Sequence, residues 1–130
     1  MKASVWLCVL AVGLVCPVWA CSCIRSTFCE KFAMVSDVVR GTPVRQMSST
    51  DGMSILFDVA ITAVFQSENN LSPSQTIRVV TAPNSAACGV VLQLGADYLL
   101  LVDELRISLC VGAKLWSETT VLERAYCYYP

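Results

Sequence analysis

The sequence predicts a small, mainly β protein stapled by disulfides, and three observations lead there. Residues 53–66 alternate with a period of two. Ile55, Phe57, Val59, Ile61, Ala63 and Phe65 fall on one face, and Ser54, Leu56, Asp58, Ala60, Thr62 and Val64 on the other. Six cysteines remain once an N-terminal targeting segment is set aside, an even number that reads as three bridges in a small exported chain. The other apolar runs are short, bounded by Gly, Pro, Asn and Ser clusters, with no βαβ alternation and no repeat.

Residues 1–20 read as a secretory signal. Lys2 gives the positive start, residues 5–15 (VWLCVLAVGLV) the apolar stretch, Pro17 the break, and Val18 and Ala20 the small residues a signal peptidase reads. The stretch is too short for an anchored helix, which needs roughly 18 apolar residues. A bacterial lipoprotein box around Cys21 is the other reading, although Trp19 fits it poorly. Cleavage after Ala20 leaves one domain, residues 21–130, and makes Cys21 the first residue with a free α-amino group.

Two of the eight cysteines, Cys8 and Cys16, leave with the signal, so Cys21, Cys23, Cys29, Cys88, Cys110 and Cys127 remain. Their spacing alone leaves 15 pairings open. Without Lys2 there are 8 basic and 10 acidic residues, a net charge of −2, and no basic cluster, so neither nucleic acid nor a membrane surface is an expected partner. The sequence has 0 histidines. That removes HExxH, Ser-His-Asp and Cys-His chemistry together, and the inventory argues against an enzyme and against a cofactor of its own.

In chain order, residues 26–33 (STFCEKFA) predict a short helical turn capped by Ser26, with Phe28 and Phe32 on one face. Residues 37–47 predict a strand whose Gly41 and Pro43 suit a bulge or an edge. Asp51-Gly52 marks a hairpin turn into the long strand 53–66. The polar loop 67–74 carries Asn70-Leu71-Ser72, which makes Asn70 a glycosylation candidate, with an unoccupied sequon as the equal alternative. Strands are expected at 76–81, at 90–94 with 97–102, and at 105–110, the last entered through a turn at Asp103-Glu104. Between them lies the small-residue loop 82–89 (APNSAACG). Ser117 predicts the cap of a final helix over 118–125. Five strands with short flanking helices in a chain of this size point to a five-stranded OB-type β-barrel.

Cys21-Ser22-Cys23 directly after a signal, Phe28-Cys29, and Asp37-Val38-Val39-Arg40-Gly41 together resemble the start of the tissue inhibitors of metalloproteinases. Residues 81–90 (TAPNSAACGV) resemble that family's inhibitory loop, and Leu109-Cys110, Trp116-Ser117 and Cys127 the close of its N-terminal, netrin-like domain. The resemblance spans residues 21–127. It implies an OB barrel with bridges Cys21–Cys88, Cys23–Cys110 and Cys29–Cys127, each contributing about 2–4 kcal/mol. It also implies a secreted, extracellular, monomeric inhibitor of matrix-type zinc metalloproteinases. The Cys21 α-amino nitrogen and carbonyl oxygen would chelate the zinc of the target, and Ser22 would enter the primary specificity pocket. Cys23, Ile24 and Arg25 would run on like a product strand, with Ser85, Ala86, Ala87 and Cys88 filling the other side of the cleft.

Arg25 stands where the vertebrate members usually carry proline, and the segments between Cys23 and Cys29 and between Cys88 and Cys110 are short. Both departures imply a shifted choice of target. The family's usual second, cysteine-rich domain lies outside this sequence. The competing expectation is a netrin-like interaction module that binds another extracellular or immune protein and inhibits nothing.

Overall fold

The computed structural model describes residues 21–24 and 26–120. Among these residues one helix, α1 (Phe28–Ala33), precedes five strands: β1 (Asp37–Ser48), β2 (Ile55–Ser67), β3 (Thr76–Thr81), β4 (Tyr98–Val102) and β5 (Ala113–Leu115). They form one antiparallel sheet in the order β3-β2-β1-β4-β5. The described ladders leave this sheet open, with β3 and β5 at its edges.

The long alternating segment is β2, and its inward face is legible as far as Ile61. Phe57, Val59 and Ile61 are buried there. Two extra residues on β2, Thr62 and Phe65, then break the register against β1. Each bulge shifts the alternation, so Val64 joins the main core while Phe65 crosses to a second cluster. On β1 the third irregularity expels Val44, next to Pro43. At Gly41 the strands leave no room for a side chain, since a Cβ there would sit 2.7 Å from Val59 Cγ1 and 2.9 Å from the Ala60 carbonyl oxygen. Of the bulge or edge expected around Gly41 and Pro43, the bulge is present, while β1 is the central strand and not an edge.

Strand β4 is buried on both faces. Leu100 and Val102 enter the main core with Val39, Phe57 and Val79, while Leu99 and Leu101 face Phe32, Val35 and Val38. Helix α1 covers this second cluster, its Phe28 and Phe32 rings meeting edge to face at 5.3 Å. Burying each of these large side chains contributes about 1.5–3 kcal/mol. On the sheet surface Arg40 pairs with Asp97 at 2.6 Å and lies 4.2 Å above the Trp116 ring.

Several expectations need correcting. The cap of α1 is Thr27, whose Oγ1 accepts from Glu30 N at 3.1 Å, and not Ser26. Residues 90–94 are not a strand. Two of their backbone donors go to side chains instead, Val90 N to Thr81 Oγ1 and Gln93 N to Tyr98 Oη, and are therefore not offered to a ladder. Nor are residues 105–110 the fifth strand. Glu104 and Leu105 have φ of 50° and 62°, and the segment turns back on itself through paired Asp103–Arg106 hydrogen bonds. The fifth strand is Ala113–Leu115. Ser117 lies inside a 3-10 turn, Trp116–Glu118, and Thr119 is extended (φ −74°, ψ 139°), so no α-helix begins at Glu118. The remainder of that predicted helix and the signal lie outside the described residues.

Asp37, wholly buried at the start of β1, ties four segments together. Its carboxylate accepts from Ser67 Oγ (2.7 Å), Asn69 Nδ2 (2.7 Å), Ser36 Oγ (2.8 Å) and Glu68 N (3.2 Å), and the Ser36 hydroxyl, also 3.1 Å from the Val102 carbonyl oxygen, shares its one proton between the two acceptors. Burial alone would raise this carboxyl, but the bonds from Ser67, Asn69 and Ser36 outweigh it and hold the pKa below the ordinary value. A depressed native pKa adds stability above the unfolded value of about 3.9, and that contribution is lost as pH falls through the native value. Replacing Asp37 by Asn should cost about 2–4 kcal/mol near pH 7, because it leaves charge-assisted bonds unmade in a buried site. The gap between variant and wild type should narrow below pH 4. Urea melts at pH 7 and pH 3 check both statements, and an equal cost at the two pH values would contradict them.

Candidate functional site

Loop 82–89 is built by its own backbone. Asn84 is extended (φ −152°, ψ 167°), and its side-chain oxygen accepts from Ala87 N at 3.0 Å, capping the 3-10 turn Ser85–Ala87. Its carbonyl accepts from Gly89 N at 2.8 Å, closing the loop. Small residues are needed at the closure. A side chain on Gly89 would be driven into the Ala82 carbonyl oxygen and would lie 2.7 Å from that of Asn84, both backbone atoms. Cys88 takes a left-handed conformation (φ 65°), which turns its sulfur toward the terminus. Thr81 Oγ1, wholly buried, holds the exit of the loop through Val90 N.

The second wall is turn 108–112. Leu109 N donates to the Cys88 carbonyl at 2.9 Å, joining turn to loop without help from sulfur, and Ile107 N donates to the Val80 carbonyl at the end of β3. Gly112 (φ 65°) sends the chain into β5.

Residues 21–23 are bolted across these two walls. Cys21–Cys88 and Cys23–Cys110 are both disulfides, with Cα separations of 5.0 and 5.2 Å. The bridges lie side by side, the Cys88 and Cys110 sulfurs 4.0 Å apart. Two of the three pairings implied by the family resemblance are thus present. Cys29 is disulfide-bonded as well, while its expected partner Cys127 lies outside the described residues.

The bridges bring two groups of predicted site residues together. Cys21 is half-buried, while Ser22, Cys23 and Ile24 are exposed, Ile24 at 88%. Ser85, Ala86 and Ala87 are exposed and Cys88 half-buried. Arg25 lies outside the described residues. The result is an exposed two-segment ridge whose backbone is held by covalent and hydrogen bonds from beneath. Asn84, Gly89 and Leu109 hold the ridge in shape and were not among the sequence candidates, although an Asn just ahead of three small residues was a readable cap signal.

Asn70 is elsewhere. It is exposed, with φ 56°, on the β2–β3 loop, and that loop and loop 82–89 leave opposite ends of the β2–β3 ladder, at Ala60–Thr76 and Ile55–Thr81. Neighbouring Asn69 is spent on Asp37. Among the described residues no helix is long and apolar enough to cross a membrane.

A search of curated proteins finds no match. The family model for tissue inhibitor of metalloproteinase matches residues 19–128, most of the 130-residue chain, including both segments of the ridge. The chain therefore belongs to the tissue inhibitor of metalloproteinase family, whose members are inhibitors and not enzymes.

Proposed function

We propose that residues 1–20 are removed on secretion and that residues 21–130 act outside the cell as a monomeric inhibitor of matrix-type zinc metalloproteinases. The observation that carries this reading is the ridge, an exposed stretch beginning at Cys21 and fixed beside loop 82–88 by two adjacent bridges. The return of Arg106 to pair with Val80 of β3 supports reading the sheet as a five-stranded OB-type barrel.

A metalloprotease of this kind holds its zinc through three protein ligands and leaves one position for the attacking water. The freed nitrogen and the carbonyl oxygen of Cys21 make a five-membered chelate that displaces the water. Ser22 points into the primary specificity pocket, and Cys23, Ile24 and Arg25 continue as a product-like strand. Ser85, Ala86, Ala87 and Cys88 occupy the far side of the cleft, where small side chains let backbone meet backbone. A chain end offers no peptide bond to cleave at the metal. Because the bridges order the ridge beforehand, binding loses little conformational entropy.

An amine binds metal only when unprotonated, and an ordinary α-amino group titrates near ~7.7–8.0. The competent fraction should fall about forty-fold between pH 8 and pH 6, and the inhibition constant should rise in step. Titrating the processed protein against a panel of these proteases across that range tests the reading. A flat constant removes amine chelation, and no inhibition of any member favours the netrin-like interaction module.

A further inference from the structure

We infer that the four sulfurs under the ridge form a metal site of the chain's own when both bridges are reduced: Cys21, Cys23, Cys88 and Cys110 hold one Zn(II) as a tetrathiolate. The inference rests on these sulfurs alone and is independent of the inhibitory reading.

All four Sγ atoms lie within 4.8 Å of one another. Tetrahedral zinc with Zn–S of about 2.3 Å sets its ligand sulfurs about 3.8 Å apart, and the Cys88 and Cys110 sulfurs already lie 4.0 Å apart. Once the S–S bonds are cut, each former pair must separate by roughly 1.8 Å, a distance that side-chain rotation at Cys88 and Cys110 and movement of the released terminus carrying Cys21 and Cys23 supply.

Two of the ligands stay positioned without any disulfide. The Leu109 N–H to Cys88 carbonyl bond of 2.9 Å and the Asn84–Gly89 closure fix the Cys88 and Cys110 backbones relative to each other. Cys21 and Cys23, one residue apart, arrive together as the other pair. The cluster offers four cysteine sulfurs and no carboxylate, and as thiolates after reduction they are a donor set that selects zinc over calcium or magnesium. Cys23 is exposed, giving the ion a way in.

The chemistry balances. A phosphine reductant gives two electrons to each disulfide and becomes its oxide with oxygen taken from water, leaving two thiols per bridge. Zinc then displaces the four thiol protons to the buffer. The metal takes over the task of the two bridges, fastening the terminus to loop 82–89.

The test uses the secreted protein reduced with a water-soluble phosphine under nitrogen and titrated with Co(II), then with Zn(II). Wild type should develop the visible bands of tetrahedral cobalt thiolate, saturate at one equivalent, lose the bands to zinc, and regain near-ultraviolet circular dichroism on loading. The pair Cys29→Ser with Cys127→Ser should behave alike, because those thiols are not ligands. Cys23→Ser with Cys110→Ser should bind at least about a hundredfold more weakly, having lost two of four ligands. Absence of a stoichiometric cobalt spectrum in wild type overturns the inference. So does a spectrum that survives unchanged in the Cys23/Cys110 variant, or one abolished in the Cys29/Cys127 variant.

Discussion

A single alanine placed ahead of Cys21 should weaken inhibition by at least a hundredfold, about 2.7 kcal/mol, while leaving the melting temperature unchanged. The extension turns a basic amine into an amide nitrogen, which has no lone pair to give a metal, and it puts extra atoms where the zinc must sit. Nothing in the core is touched, because Cys21 and Ser22 belong to neither core cluster and the bridge to Cys88 can still form. Acetylating the processed terminus should do the same by chemistry alone. Equal potency of native and extended protein, measured as inhibition constants against one protease, would show that the ridge does not use its terminal nitrogen.

Gly89→Ala carries the other large expected effect, on shape rather than on a ligand. The new methyl collides with the carbonyl oxygens of Ala82 and Asn84. Those atoms belong to the loop backbone and cannot rotate away, so loop 82–89 must open. We expect a loss of about 2–3 kcal/mol in stability, in the range of overpacking in a rigid site. We also expect inhibition to weaken by more than tenfold, because residues 85–88 shift away from the terminus. Urea melts and inhibition constants on the same samples separate the two effects. Unchanged values for both would mean the loop relaxes without consequence.

What could be read from the residues depended on how local each cause was. Strand β3 was placed at its observed limits, because six residues of apolar alternation between polar loops have one simple solution. The face of β2 was legible only to Ile61, since the bulges at Thr62 and Phe65 arise from its match with β1, a distant segment. Residues 90–94 look like strand by composition, yet the oxygens of Thr81 and Tyr98 claim their donors from outside the segment. The turn at Asp103-Glu104 was readable and is present, but nothing about Leu105 announces the positive φ that keeps 105–110 from running on as a strand. At the ridge, spacing left all 15 cysteine pairings open. The two described bridges were reached only through the family pattern, while the small residues of loop 82–89 were visible directly. The order Cys-Gly at 88–89 hinted that backbone had to pass close by, without saying which carbonyls it would meet.

Ser22, Ile24 and Ala86 reach outward and contribute nothing to either core cluster, while the forces that hold their backbones come from sulfur, Asn84 and Leu109 underneath. On the proposed reading, recognition and folding are therefore written in separate letters. A lineage pursuing a new quarry can respell the first set freely, and a laboratory seeking selectivity can randomise the same three positions in one library, with every member expected to fold.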